Sequence, residues 1–511
     1  MRRRTALALP VVVTAAAGGA AVGLAARRDA VLAAPPATAP VPGRGGEGPA
    51  GRVEFEVHDA DGRLLDFAAV RRVQSAGTGQ DGHDDVLVDA QDLRVLVPWP
   101  LEEGPSFAVQ RPAGRVALAM AWPTSAGYGQ LVVDLPPPGR YGFTLVAAAQ
   151  AVAELEAQLA ARPGHRPSAA VTGALERARD LLARVRSATG AGQRGALGTR
   201  ALDAAVGGQL RLLREHGREE ALRRGAAGDV QRGVTFEDPS RHDALASVRE
   251  LTGGDPRTGW VRLVFDAERG ARSYAADVAA VRAAGLHVVG QFLDSSQLAG
   301  VDGPAWRARV AEYVGALPQV EEWEVGNEVN GAWTGEGSAA KALWAARHVK
   351  QNSGARTLLT LYWQMGEGEP EESVFTWAAR HLPAAAVGDV DDIGLSVYPE
   401  DHPLGATLDR VLTTLHRAYP DQQLLVSELG YGAADLSGRW WFGSPDDVGA
   451  GRVAVAAFHG DAAFGYPFSR GGVFWWYYLT EAVAPSPLRA ALAAPRPRAV
   501  QRRARSVRGR R

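Results

Sequence analysis

Two glutamates in this sequence are set up for proton transfer and nucleophilic attack at a single bond. Glu328 follows Asn327 in the run E-W-E-V-G-N-E, and Glu428 closes Q-L-L-V-S-E. Such a pair breaks a carbon–oxygen bond when one carboxyl is held protonated, to supply the leaving oxygen, and the other ionised, to attack carbon. Arg262, Tyr398, Gln291 and the indoles of Trp333, Trp363, Trp475 and Trp476 stand at or near the ends of similar apolar runs. Amides and carboxylates bond hydroxyl edges, whereas indole faces stack on apolar C–H faces. The set fits a ligand carrying both surfaces, a polyhydroxylated ring.

These residues need a frame. Between 229 and 492 β-like apolar runs alternate with helical ones such as Y-A-A-D-V-A-A-V-R-A-A-G. Eight strand candidates begin at Gly233, Trp260, Leu286, Glu322, Thr357, Asp392, Gln423 and Gly472. The eightfold repeat predicts an α/β TIM barrel, (β/α)8, whose active site lies at the C-terminal ends of the strands. A doubly wound open sheet is the alternative; the number of repeats and the lack of a Gly-rich phosphate loop disfavour it. In the barrel the strand ends gather the chemistry. The second carries Arg262 and Asp266, the third Gln291 and Asp294, and the fourth Asn327 and Glu328, followed by Asn330 and Trp333. The fifth ends at Tyr362, Trp363 and Gln364, the sixth at Ser396 and Tyr398, the seventh at Glu428 and the eighth at Trp475 and Trp476. Strands four and seven lie across one barrel mouth.

In this frame W-E-V-G-N-E-V-N-G resembles the strand-4 Asn-Glu motif of clan A glycoside hydrolases, and L-L-V-S-E-L-G-Y-G resembles their strand-7 nucleophile segment. The resemblance covers about half the chain and reaches the clan, not a family within it. It implies a retaining hydrolase of β-linked polysaccharide or oligosaccharide, with Glu328 as general acid/base and Glu428 as nucleophile. Glu428 would be held ionised by Arg262 and oriented by Tyr398, and its charge would raise the Glu328 pKa. Asn327 would bond the sugar 2-hydroxyl. Trp475 or Trp476 would floor the subsite at the reacting sugar, next to a non-proline cis peptide, with one indole inward and the other packed outward. The alternative function is a non-catalytic carbohydrate-binding protein on a glycosidase-like barrel.

Elsewhere the residues are weighed against ordinary structural roles. Gln291, Trp333 and Trp363 are further substrate contacts, and Trp440, Trp441, Asp401 and His402 are candidates for the same cleft. Glu367, Glu369, Glu371 and Glu372 read first as a solvated acidic loop, with cation binding as the alternative.

Composition bounds the rest. The chain has 511 residues, 46% hydrophobic, net charge -1 and no cysteine, which excludes disulfides, thiolate metal sites and cysteine nucleophiles. Near-neutral charge gives no bias toward nucleic acid; no cofactor or metal is called for, and the chain is read as a monomer. Arg2–Arg4 before an uncharged apolar stretch from Ala6 to Ala26 read as an export signal or a retained anchor over 1–33, so an exported bacterial protein is expected, secreted or anchored. A Pro/Gly linker follows at 34–51. Short alternating runs with Pro/Gly turns over 52–145 predict a small β-sandwich, and amphipathic runs over 146–228 a helical connector. The arginine-rich end, 493–511, reads as a disordered tail. Both termini offer contacts to membrane or cell wall.

Overall fold

The computed structural model describes residues 48–74, 85–228, 230–366, 369–432 and 447–493. The signal or anchor segment, most of the linker, Glu367, Trp440, Trp441 and the arginine-rich tail lie outside the described residues. Among the described residues no helix is long and apolar enough to cross a membrane.

Eight parallel strands close into a barrel: β9 (Gln231–Phe236), β10 (Gly259–Val264), β11 (His287–Gln291), β12 (Glu322–Gly326), β13 (Arg356–Tyr362), β14 (Asp392–Val397), β15 (Gln423–Leu429) and β16 (Ser469–Trp475), the last pairing back onto β9. They are the eight runs expected from the sequence. Each is buried on both faces, so each reads as a near-continuous apolar run. Trp260, Val289, Leu358, Leu425 and Phe474 fill the interior, and alternate positions such as Val261, Val288, Ile393 and Val426 pack outward into the shell.

The strict alternation fails near the C-terminal ends, where bulges interrupt the pairing. Pairing slips between Glu324 and Gly326 on β12, making Val325 the extra residue, and between Leu395 and Ser396 of β14 against β15, making Ser427 extra. On β16 Gly471, Gly472 and Val473 all take left-handed φ of 86°, 80° and 59°. A bulge shifts every later side chain to the opposite face, and here the shifted side chains are those with chemistry.

Ahead of the barrel stand two four-stranded sheets. One has β1 (Gly51–His58) between β2 (Leu64–Leu65) and β5 (Phe107–Arg111), with β8 (Gly139–Gly142) parallel to β1; the other runs β4 (Val95–Pro98), β3 (Val86–Asp89), β6 (Val116–Thr124), β7 (Gly127–Asp134). A short helix, α1 (Phe67–Gln74), lies among them. The last expected strand, G-R-Y-G-F-T-L-V, stops at Gly142, and Phe143 opens helix α2 (Phe143–Ala160), followed by α3 (Ala169–Val185) and α4 (Ala191–Gly225). These helices do more than connect: Val146, Leu155, Leu181 and Leu202 share one core with Phe55, Phe107, Leu118 and Met120 of both sheets. The opposite face of the second sheet, through Val86, Val88, Ala117 and Ala119, joins the barrel's outer core. Helix α4 meets barrel helix α11 (Val448–Ala462) so closely that a Cβ on Gly217 would lie 2.1 Å from the Asp461 carbonyl oxygen. The accessory elements are thus built onto the barrel wall.

Candidate active site

The mouth is organised around Arg262, which points inward from β10 and is fully buried. Its Nε donates to Glu324 Oε2 at 2.8 Å, and its Nη1 lies 2.8 Å from Glu428 Oε2. Glu428 faces inward because Ser427 is the bulged residue: Ser396, an inward position of β14, pairs with Glu428 and not with Ser427. Tyr398 donates its hydroxyl to Glu428 Oε1 at 2.5 Å, and Asn327 Nδ2 reaches Oε2 at 3.5 Å. Burial pushes the Glu428 carboxyl up from the usual range, and Arg262 pulls hardest against that rise, followed by Tyr398. A permanent guanidinium charge at ion-pair distance favours the ionised form of this carboxyl against that rise.

Glu328 comes from across the mouth. The Val325 bulge turns Asn327 inward, and a regular strand would then send Glu328 outward. Instead Glu328 takes a left-handed φ of 49°, so consecutive residues both serve the mouth. That conformation costs a non-glycine residue about 1–2 kcal/mol, a strain of the kind that clusters at functional sites. Ser295 donates to Glu328 Oε2 at 2.7 Å and Ser396 to Oε1 at 2.6 Å. The carboxyl is pushed up to about 7 by burial, despite those two hydroxyl donors. The sequence-based reason was the charge on Glu428; desolvation is the larger cause, and Asp294 is the neighbouring carboxylate that adds to it.

Trp333 caps this side, 40% exposed, its indole N–H donating to Ser295 Oγ at 3.0 Å and its ring edge-on to Tyr362. Trp476 lies with its ring 5.3 Å from the Arg262 guanidinium. Trp475 and Trp363 are placed elsewhere. Both are fully buried in the shell between strands and helices, and the Trp475 indole donates outward to Glu481 at 3.0 Å. Each sits at an outward position of its strand, so neither can touch a ligand in the mouth. Among the described residues no peptide is cis, including the one beside these indoles. Gln291 is inward and fully buried; its Nε2 bonds Leu293 O at 3.3 Å and its Oε1 accepts nothing.

The loop residues divide. Asp401 accepts from the Tyr362 hydroxyl at 3.1 Å, and His402 meets that ring edge-on. Asn330 clamps the backbone, donating to Tyr362 O and Glu372 O. Glu372 accepts from Ala332 N and Gln364, and Glu371 pairs with Arg380, so these acids tie loops together. Sequence reasoning missed Glu237, the residue directly after β9 at the C-terminal end of the barrel. It also missed Ser295 and buried Glu400, whose Oε1 accepts from Gly432 N at 2.8 Å. Glu237 directly follows β9 and Glu400 lies three residues past the end of β14, the one signal that could have marked them.

A cleft of about 1610 Å³ lies away from this mouth, between β7, α2, α4 and barrel helix α10 (Leu408–Ala418). Polar groups there bond one another: Arg162 holds Asp409 at 2.8 Å, and Gln150 and Gln209 donate to Glu154. It has no strand-end carboxyl pair.

The chain matches no protein-family model and no curated protein. Solved structures similar to it include a GH113 β-mannanase from Alicyclobacillus acidocaldarius (18% identity, 52% of this chain and 96% of that chain, TM-score 0.33). A GH10 xylanase from Bispora sp. MEY-1 is another (13% identity, 55% and 98%, TM-score 0.35). A third is a mandelate racemase/muconate lactonizing enzyme from a marine actinobacterium (11% identity, 71% and 85%, TM-score 0.29).

Proposed function

We propose that this chain is a retaining glycoside hydrolase acting on a β-linked polysaccharide or oligosaccharide, with Glu328 as general acid/base and Glu428 as nucleophile. The observation that carries the reading is the unlike surroundings of two buried carboxyls in one mouth. Glu428 has a guanidinium at 2.8 Å, while Glu328 has only two serine hydroxyls and is raised to about 7. Environments that separate two carboxyls in this way define an acid and a base.

The steps follow from those states. Glu428 attacks the anomeric carbon as the bond to the leaving oxygen breaks, and Glu328 gives that oxygen its proton. The resulting glycosyl ester on Glu428 is then cleaved by water, which loses its proton to Glu328. Arg262 and Tyr398 stabilise Glu428 as it is released. Trp476 and Trp333 offer faces for the sugar rings, and Asn327, beside the nucleophile, meets the 2-hydroxyl. The basic residues and apolar stretch at the N-terminus favour action outside the cell.

The test is hydrolysis of plant and bacterial β-glycans by the purified protein and its Glu428→Gln variant. Reducing-end release by the wild type, lost in the variant, with product first appearing in the substrate's anomeric configuration, is the expected result. Inversion would sink the retaining mechanism. Binding without release by the wild type on every glycan would favour the non-catalytic carbohydrate-binding alternative.

A further inference from the structure

We propose that Ser295 is a positioning residue for the acid: locked by the Trp333 indole, it keeps Glu328 Oε2 as an acceptor and leaves the transferable proton on Oε1, beside Ser396. The inference rests on the reading of Glu328 as general acid/base.

The directions of three hydrogen bonds fix this. An indole N–H only donates, so Trp333 Nε1 donates to Ser295 Oγ at 3.0 Å. Ser295 Oγ lies 2.7 Å from Glu328 Oε2, and among the described residues its hydroxyl has no other acceptor. Its one hydrogen therefore goes to Oε2. A proton placed on Oε2 would leave that hydrogen without a partner, a costly state for a buried donor. Ser396 is different. Its fully buried hydroxyl lies 2.6 Å from Oε1 and has no second partner among the described residues. It can turn, accepting from the protonated carboxyl and donating to the ionised one. The proton given to the leaving oxygen thus departs from Oε1, and Ser396 turns to donate to the new carboxylate. In the second step the proton of the attacking water returns to Oε1.

The lock is built into the chain around the acid. Gly331 N donates to Glu328 O at 2.9 Å, beginning the turn that carries Trp333. A Cβ on Gly331 would lie 2.4 Å from the indole, so a side chain there would displace the ring. Tyr362 meets the same ring edge-on at 5.1 Å. The indole exposed at the mouth is therefore fixed, and it orients the hydroxyl that orients the acid. Burial raises the Glu328 carboxyl to about 7, and Ser396 and Ser295 pull against that rise. The other charged and titratable groups acting around it are Asp294, Arg262, Glu428, Tyr362 and Tyr398. Among the described residues only the two serines bond its oxygens. Ser295 stabilises the ionised form alone, whereas Ser396 serves both forms.

The experiment titrates the full chain, carrying carboxyl-labelled glutamate, by carbon NMR, with Glu328→Gln identifying the Glu328 resonance. Ser295→Ala removes a donor to the ionised form and should raise the Glu328 midpoint by about one pH unit. Ser396→Ala removes a partner of both forms and should move it less. Trp333→Phe keeps an aromatic ring at an exposed position but loses the N–H, which frees Ser295 to turn. It should raise the midpoint in the same direction and add nothing in the Ser295→Ala background. Circular dichroism checks that each variant is folded. A role in packing alone would lower stability or turnover without moving the midpoint. An unmoved midpoint in folded Ser295→Ala or Trp333→Phe, an equal or larger shift in Ser396→Ala, or a Trp333→Phe shift that adds fully to that of Ser295→Ala overturns the proposal. Parallel glycan hydrolysis separates the two readings: midpoints that move as expected without hydrolysis sink only the hydrolase, and hydrolysis with unmoved midpoints sinks only the role of Ser295.

Discussion

Arg262 Nη1 lies 2.8 Å from Glu428 Oε2, with the arginine side chain fully buried and the glutamate 4% exposed. The same guanidinium holds Glu324 through Nε. One buried cation therefore serves two carboxylates, and removing it leaves both without a counter-charge. Arg262→Met is expected to destabilise the fold by about 3–5 kcal/mol and to abolish activity. Arg262→Lys restores the charge without the planar fork and should recover part of the stability but little of the rate. Thermal melts beside turnover measurements check this; a fully active Arg262→Met would refute the role.

The raised Glu328 carboxyl predicts the basic limb of the pH–rate profile. With its pKa near 7 in the free protein, kcat/KM should fall as pH rises through about 7, because the acid form donates the proton. Glu328→Gln should remove that limb. Its residual turnover should fall least for substrates with good leaving groups, such as aryl glycosides, which need no protonation.

The same shift has a stability consequence of fixed sign. The folded pKa lies above the ordinary value of 4.5. The stability it contributes is therefore present below pH 4.5 and is lost as pH rises through 7. Glu328→Gln carries no such loss. It should melt higher than the wild type at pH 8, by up to about 3 kcal/mol, and about equally at pH 4. Equal melting at both pH values would contradict burial as the cause.

Tyr398 donates to Glu428 Oε1 at 2.5 Å and lowers its carboxyl. Tyr398→Phe removes a donor to the ionised form. The acidic limb of the profile should move to higher pH, and kcat should fall by about tenfold or more. A limb that stays in place would show that Arg262 alone sets the charge.

Two tryptophans distinguish packing from contact. Trp363→Ala opens a hole in the shell and should cost about 3–5 kcal/mol, with kcat/KM of the folded fraction changed little. Trp476→Ala, at the half-buried mouth, should cost less stability and most of the activity. The reverse pattern would exchange their roles.

The barrel was legible because each strand is a continuous apolar run ending in polar residues, and eight such runs at regular spacing admit few other folds. The acid pair was legible because each carboxylate ends such a run. The N-terminal boundary was less so: F-T-L-V continues a β-like pattern, yet Phe143 starts a helix because its ring packs among Phe55, Phe107 and Trp122. Which indole faced the mouth was also open, since Trp475 and Trp476 are chemically identical neighbours.

The sequence by itself determined the residue types, their order along eight strands and the strand ends at which they sit, since these depend on hydrophobic pattern and local turns. Which of those side chains meet was decided only by the tertiary structure. In an unbroken strand Glu428, following inward Ser427, would face the helices; likewise Asn327 would point outward. The bulges at Val325 and Ser427 and the left-handed Glu328 reverse this. Period-2 alternation is a local rule, but an extra unpaired residue is fixed by how neighbouring strands register around a closed barrel, and that exists only once the barrel has closed.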